Sequence, residues 1–470
     1  MSLEENTNIL IQNYQLLINE IPKELLNLTY GIYPTDPSYN DVRFIYNKLF
    51  NYFPHAIYYP ESEKDISYLI KNLAKYKLEF AIRCGGHAYE PASLSIGYII
   101  DVKNFSKIKI NGEKKYVKVG SGIRLGTLIT ELGKKNYITA TGESSNVGIS
   151  GLSLAGGKGY LTRLYGMVCD NILEVKIVNY EGKILKANSK ENSDLFWAIK
   201  GGGNGNFGVI TEFRLKIYND IRCKITNLTW CNKVYLKEII QKYQELILKN
   251  SIDSIIYFNI TYNNQIITYK LTFFVFGDAI KTDDYINNEI SSLKNFNNPT
   301  VTECDGYYSK ITDCWVSYNT GLSPPFSKLK STMVFTPIIS KGIDVIINSF
   351  EEMIATKLNL VYQVNLSQLG GKVITGDSSY YPKNALYSVT MPINWTLQIQ
   401  NKYCIDFINK VYHKLIYYTS VYCFPNMIDY DLTNYMNSYY GSNKERLIDI
   451  KTKYDPKNVF HWHQSIPIKK

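Results

Sequence analysis

The chain has 470 residues, 45% hydrophobic and 20% charged, the balance of a globular protein long enough for two or more domains. Its net charge of +10 comes from dispersed lysines rather than a basic run interleaved with aromatics, and no window approaches 18 uninterrupted apolar residues, so neither nucleic-acid binding nor a membrane span is expected. Eight cysteines without a Cys-x-x-Cys, and without ligand spacing to the five histidines, argue against a metal site.

In chain order, Ile9, Leu16, Leu17, Ile21, Leu25 and Leu26 suggest a helical lead-in over residues 1–30. No basic start precedes an apolar block, so no signal peptide is visible, and an intracellular or virion location is the expectation. A helix is predicted over Glu61 to Tyr76, with Ser62 as N-cap and Ile66, Leu69, Ile70 and Leu73 on one face. A strand over Leu78 to Ile82 then runs into Gly85-Gly86-His87, where the backbone can turn and approach a ligand closely.

Strands follow at Tyr98 to Ile100 and Tyr116 to Val119, and a helix over 123–136. Six glycines between Gly142 and Gly159 read as a wrapping loop, neither helix nor strand. Residues 172–186 read as strand, turn, strand; Asn192 to Lys200 as a helix; Gly201 to Gly208 as a second glycine-rich loop before a strand over Val209 to Ile217. Beyond Tyr218 the pattern changes. Strands are predicted at Ile255 to Tyr262, Ile266 to Phe276, Met333 to Ile338, Val361 to Gln368 and Tyr387 to Thr396, and helices at Lys237 to Leu248, Asp284 to Phe296, Ile343 to Leu358 and Tyr403 to Tyr417. That alternation suggests an antiparallel sheet with helices on one face. The tail, Leu447 to Lys470, reads as turn-rich.

A set of motifs in order adds specificity: Arg83-Cys-Gly-Gly-His-Ala-Tyr89, Val147-Gly-Ile-Ser-Gly151, Tyr165-Gly-Met-Val-Cys-Asp-Asn171, Asp194-Leu-Phe-Trp-Ala-Ile-Lys-Gly-Gly-Gly203, Asn206-Phe-Gly-Val-Ile-Thr211 and Tyr454-Asp-Pro-Lys-Asn-Val-Phe460. They resemble the berberine bridge enzyme-like flavoproteins of the vanillyl-alcohol oxidase or PCMH superfamily. The resemblance implies an α+β fold: a PCMH-type FAD-binding domain of two α/β subdomains, plus a substrate domain whose antiparallel sheet is covered by helices. It implies a lead-in over 1–48, the FAD domain over 49–219, the substrate domain over 220–440, and a segment over 441–470 returning to the FAD domain.

The same resemblance implies FAD held covalently by His87. Noncovalent contacts would come from Cys84, Gly85, Gly86, Gly148, Gly151, Val209 and Ile210, with Asn458 and Phe460 approaching the ring. Many members add a cysteine bond opening the segment Cys-Pro-Thr-Val-Gly; here Ser144 stands at that cysteine's place, so attachment through His87 only is expected. The chain departs from the family on the reaction side as well. Phe424 replaces a catalytic tyrosine, Ser388 and Thr390 replace a lysine and a glutamine, and Lys158 replaces a second tyrosine. Tyr89 is kept. The remaining candidates for catalysis are Tyr89, Lys158 and Tyr422, the last because a strand would turn it to the same side as Phe424.

Two functions remain open on these grounds. One is an FAD-dependent oxidase or dehydrogenase of a hydroxylated small molecule, a carbohydrate or alcohol, with O2 as acceptor. The other is a cofactor-retaining flavoprotein reused as a structural or assembly protein, as in a virus particle, suggested by the replaced positions and by 41 tyrosines in an Asn-, Ile- and Lys-rich composition.

Overall fold

The computed structural model describes residues 15–231, 233–317 and 326–469. Ile9, part of the expected lead-in, lies outside the described residues. Three sheets carry the architecture, joined by a two-stranded ribbon.

The first sheet has the order β1-β2-β4-β3, from β1 (Gly31–Ile32), β2 (Ala56–Tyr58), β3 (Phe80–Arg83) and β4 (Tyr98–Asp101). β2, β4 and β3 are parallel, and helix α1 (Glu63–Lys75) makes the crossover from β2 to β3. The sequence dictates where α1 begins: the Ser62 hydroxyl accepts from the Asp65 N–H, and the Asp65 carboxylate accepts from the Ser62 N–H. Ile66, Leu69, Ile70 and Leu73 all lie buried against the sheet, as their spacing requires.

The second sheet is antiparallel, ordered β5-β6-β10-β8-β9, from β5 (Ile108–Asn111), β6 (Tyr116–Gly120), β8 (Ile172–Val178), β9 (Ile184–Asn188) and β10 (Val209–Lys216). β7 (Tyr137–Ile138) and β11 (Tyr218–Asn219) form the ribbon. The strands from β6 to β10 are linked through helices α2 (Leu125–Gly133), α3 (Ile149–Leu154) and α4 (Ser193–Gly202). Helix α3 corrects the expectation that Gly142 to Gly159 is all loop. It is one and a half turns long, and its Gly151 is tolerated because the helix is held by packing of Ile149 and Leu154 in the core.

The third sheet has seven strands, ordered β15-β12-β14-β13-β17-β18-β16 and antiparallel throughout. Its strands are β12 (Arg222–Trp230), β13 (Ser254–Asn263), β14 (Ile266–Phe276), β15 (Thr300–Tyr307), β16 (Phe326–Val334), β17 (Val361–Gln368) and β18 (Tyr387–Trp395). Helices α5 (Leu236–Lys249), α7 (Ser340–Thr356) and α8 (Asn401–Leu415) pack on one face, leaving the other for the cavity described below; α6 (Asp284–Lys294) packs beside β12. Helix α9 (Lys444–Tyr454) occupies the start of the tail read as turns. A disulfide joins Cys304 on β15 to Cys314.

Strand β16 begins seven residues earlier than Met333, because its first half reads Phe-Ser-Lys-Leu-Lys-Ser. Lys328 and Lys330 look like surface residues, yet both are buried in an ion cluster that joins three parts of the chain. Lys328 Nζ lies 2.5 Å from Glu90, beside the His87 loop, and 3.2 and 3.1 Å from Asp429 and Asp431. Lys330 Nζ lies 2.8 and 2.6 Å from the same two aspartates. The cluster locks the sheet edge to the FAD-side loop and to the segment after Phe424.

Asp429 and Lys330 are 3% and 2% exposed, and removing Lys330 leaves Glu90, Asp429 and Asp431 to share the single charge of Lys328 in a buried setting. Lys330→Met is expected to lower unfolding free energy by about 3–5 kcal/mol in a denaturant titration, and an unchanged midpoint would contradict this. Burial pushes the Asp431 carboxyl up, but the Lys330 hydrogen bond and the two lysine charges overcome it and hold it at about 2. A depressed carboxylate stabilises the fold fully above its unfolded value of about 4, and that contribution is lost as pH falls through the folded value. Asp431→Asn should therefore flatten the fall in stability between about pH 4 and 2, as read by denaturant midpoints across that range.

Candidate active site

The site starts at the C-terminal end of β3. Arg83 Nε bonds the Asp101 carboxylate on β4 at 2.6 Å, and its Nη2 reaches the Tyr59 hydroxyl at 3.2 Å, so the strand end is fixed before the chain turns. Gly86 then takes φ +58°, which a side chain would strain, and its carbonyl accepts the Tyr46 N–H at 2.7 Å. The Tyr46 ring lies flat on the His87 imidazole, centroids 4.5 Å apart and planes 14° off parallel. Burial, reinforced by the Arg124 charge and opposed by a backbone hydrogen bond, lowers the His87 pKa and favours the neutral ring.

Against this loop presses the second one, backbone to backbone. A Cβ on Gly148 would sit 2.2 Å from Cys84 Sγ and 2.6 Å from the Gly85 nitrogen; a Cβ on Gly85 would sit 2.5 Å from the Gly148 nitrogen. Arg124 fastens the contact, donating to the Gly85 carbonyl at 2.7 Å and to the Asn146 carbonyl.

The two loops form one wall of a cavity of about 450 Å³, within the usual range for small-molecule sites. Cys84, Gly85, Gly86, His87, Tyr89, Gly148, Gly151, Lys158 and Phe460 all line it. Four other candidates do not. Val209 and Ile210 have buried side chains and are paired in register with Val178 and Ile177 of β8. Asn458 takes φ +49° and donates its N–H to the Asp455 carbonyl, serving as a turn that delivers Phe460.

Tyr422 is the fourth, and the expectation that it faces with Phe424 is corrected. Residues 421–426 are irregular rather than a strand, so period-two geometry does not apply. Phe424 turns into the cavity, while Tyr422 packs edge-on against Tyr381 and Phe335, with ring centroids 5.1 and 5.9 Å away. Asn426, two residues on, holds the segment in place. It accepts the Gly157 N–H at 2.8 Å and donates to the Gly151 and Leu152 carbonyls at 3.1 and 2.9 Å.

The opposite wall is the free face of the seven-stranded sheet. Asn259, Gln363, Asn365, Ser367 and Thr390 present neutral hydrogen-bonding groups, with Asn259 Nδ2 bonded to Asn365 Oδ1 at 2.8 Å. Their alternation along β13 and β17 is visible in the sequence, but a polar strand face reads equally well as solvent-facing. Glu143 also lines the cavity, a placement its sequence does not signal, since it sits in a glycine-rich loop with no periodicity to orient it.

The residues present fit a flavin dinucleotide. The wall glycines leave room rather than filling it: a Cβ on Gly151 would meet nothing within 4 Å, and one on Gly205 only Trp462 Nε1 at 4.0 Å. Four buried polar atoms of lining residues, Ser93 Oγ, Ser144 Oγ, the Tyr257 hydroxyl and Trp462 Nε1, have no partner within the protein. At Ser144 a hydroxyl stands where a thiolate would be needed for a second bond. Cys84 cannot stand in for it readily, since burial pushes its thiol up to about 11 and its Sγ contacts the Ser121 carbonyl at 3.2 Å. Cys169 is fully buried, away from the lining.

Comparison with known proteins agrees. A model of the FAD binding domain matches residues 54–188, and a berberine and berberine-like model matches 423–467. The FAD-linked oxidoreductase YgaK of Bacillus subtilis is 26% identical over 92% of this chain and 95% of its own. Berberine bridge enzyme-like 18 of Arabidopsis thaliana is 25% identical over 88% and 83%. The structure of Physcomitrella patens BBE-like 1 superposes with a TM-score of 0.83 at 26% identity, covering 94% of this chain and 97% of that one. The chain is thus an α+β protein that carries the FAD binding and berberine-like domains and is similar along nearly its whole length to berberine bridge enzyme-like FAD-linked oxidoreductases.

Proposed function

We propose that the protein oxidises a CH–OH group of an uncharged, hydroxylated small molecule, a carbohydrate or alcohol, with O2 as the final acceptor and FAD attached through His87 alone. The observation that carries this reading is the sheet wall: five neutral amide and hydroxyl side chains face the cavity, able to donate to and accept from substrate hydroxyls. Lys158 and Glu143 supply the charges near them.

Bound FAD would supply the two-electron acceptor. The protein's own groups would do the rest. A neutral His87 ring would carry the lone pair that an imidazole bond to the cofactor requires, and the Tyr46 ring stacks on its face. Backbone groups of Gly85, Gly86 and Gly148 can meet the cofactor's polar atoms without a basic side chain. Tyr89 is kept protonated by burial, with Tyr46 adding to the effect, so its hydroxyl donates at neutral pH rather than accepting a proton. Phe424 accepts none. Nothing in the comparisons favours the alternative of a structural or virion component.

Anaerobic mixing with a panel of mono- and disaccharides and benzylic alcohols should bleach the flavin band near 450 nm for at least one member. No bleaching by any of them would contradict CH–OH oxidation. For attachment, acid-precipitated protein should keep its yellow colour in the pellet, and His87→Ala should release it to the supernatant. A colourless wild-type pellet would rule out the covalent bond, and a yellow His87→Ala pellet would rule out His87 as its site.

A further inference from the structure

Within the cavity one ionisable cluster is left without a role by the residues so far discussed. Glu143 lies between the glycine-loop wall and the sheet wall, one residue from Ser144, on a segment whose position is fixed from outside. The Glu143 carbonyl accepts the Ser317 N–H at 2.8 Å, and the Ser145 N–H donates to the Ser317 carbonyl at 3.1 Å. The backbone of Glu143 is therefore pinned while its carboxylate faces inward.

Four groups from three directions face that carboxylate: Lys158 and Tyr160 from the loop after α3, Tyr257 from β13 and Lys270 from β14. The Tyr160 and Tyr257 rings pack edge to face at 4.9 Å, and Tyr160 stacks on Phe274 at 3.9 Å, so the hydroxyl pair is rigid. The Tyr257 hydroxyl is buried on the cavity wall and closes no hydrogen bond within the protein. Lys158 Nζ stands 5.7 Å from the Tyr257 ring centroid and 5.8 Å from that of Phe424, the residue that replaces the tyrosine base. The Glu143, Lys158 and Tyr257 side chains thus line the same cavity as a phenyl ring that cannot take a proton, with Tyr160 packed behind Tyr257.

We infer that Glu143 is the proton acceptor of this site, with Lys158 as the cation that steadies the negative charge passing between substrate oxygen and carboxylate. The inference rests on the reading of the protein as a CH–OH oxidoreductase. The substrate O–H bond breaks and its proton goes to a Glu143 carboxylate oxygen. The electron pair of that bond becomes the second bond of the carbonyl, as the C–H pair leaves as hydride for the two-electron acceptor, bound FAD. Glu143 ends as the neutral acid and returns its proton to solvent before the next turnover. Burial raises the Glu143 pKa against the pull of Lys158, and burial lowers that of Lys158 against the pull of Glu143. Both shifts move the groups toward neutral pH, where a general base works best.

The test uses the full chain carrying its flavin, with two readouts. With whichever panel compound bleaches the flavin, Glu143→Gln should slow anaerobic reduction about 10²–10⁴-fold and remove the acidic limb of the kcat/KM pH profile, leaving KM within a few fold. Lys158→Met should move that limb to higher pH, because removing the cation raises the carboxyl pKa further. A Glu143→Gln rate within threefold of wild type, with the limb intact, would overturn the assignment. The second readout needs no substrate: the visible absorbance of the bound flavin, titrated with pH, should show a one-proton change above the ordinary carboxylate range that Glu143→Gln lacks. Identical titrations of the two proteins would overturn the inference even if a substrate is found. Failure of the whole panel with the titration difference present would instead fall on the CH–OH reading and leave Glu143 as the ionising group.

Discussion

The site depends on one contact, the meeting of Gly85 and Gly148. No side chain can stand at either position, since a Cβ would come within 2.5 Å of backbone on one side and 2.2 Å of Cys84 Sγ on the other. Two loops that leave different sheets are brought close enough to form a continuous backbone wall, and Arg124 bonds carbonyls of both. Everything the wall presents inward follows from it: the His87 ring, the free space at Gly151, and the pinned segment that carries Glu143.

The other wall is held at its distance by charge rather than by close packing. Lys328 and Lys330 cross from the edge of the seven-stranded sheet to Glu90 and to Asp429 and Asp431, so one cluster connects the His87 loop, the sheet and the segment that includes Phe424 and Asn426. Buried ion pairs contribute little net stability compared with apolar packing, but they are selective about which partners meet. Here that selectivity fixes where the neutral face of β13, β17 and β18 stands relative to the glycine loops. Asn426 adds a second tie, bonding across to Gly151, Leu152 and Gly157.

Much of this was legible in the sequence, and the limits have physical causes. Helix α1 was readable to within two residues because its capping serine and its apolar stripe are local signals. The glycine loops and His87 were readable because close approach requires glycine, whatever the surroundings. The first half of β16 was not, because Lys328 and Lys330 look solvent-facing until distant carboxylates are brought to them. The side that Tyr422 faces was not legible, because period-two alternation holds only on a strand and here Pro425 and a turn follow Phe424. The cavity-facing positions of Glu143 and the sheet-face amides are long-range facts: each depends on which segments become neighbours, and no local spacing encodes that.

Glycine loops on one side and a polar sheet face on the other make the cavity between these walls a flavin site. The most direct measurement is the FAD content of the purified full chain, taken from the absorbance of flavin released by exhaustive proteolysis against protein concentration. One FAD per chain is expected, and a Gly148→Val chain, whose two loops are forced apart, should carry little. A wild-type chain that stays free of FAD after expression in flavin-replete cells and after incubation with excess cofactor would contradict it.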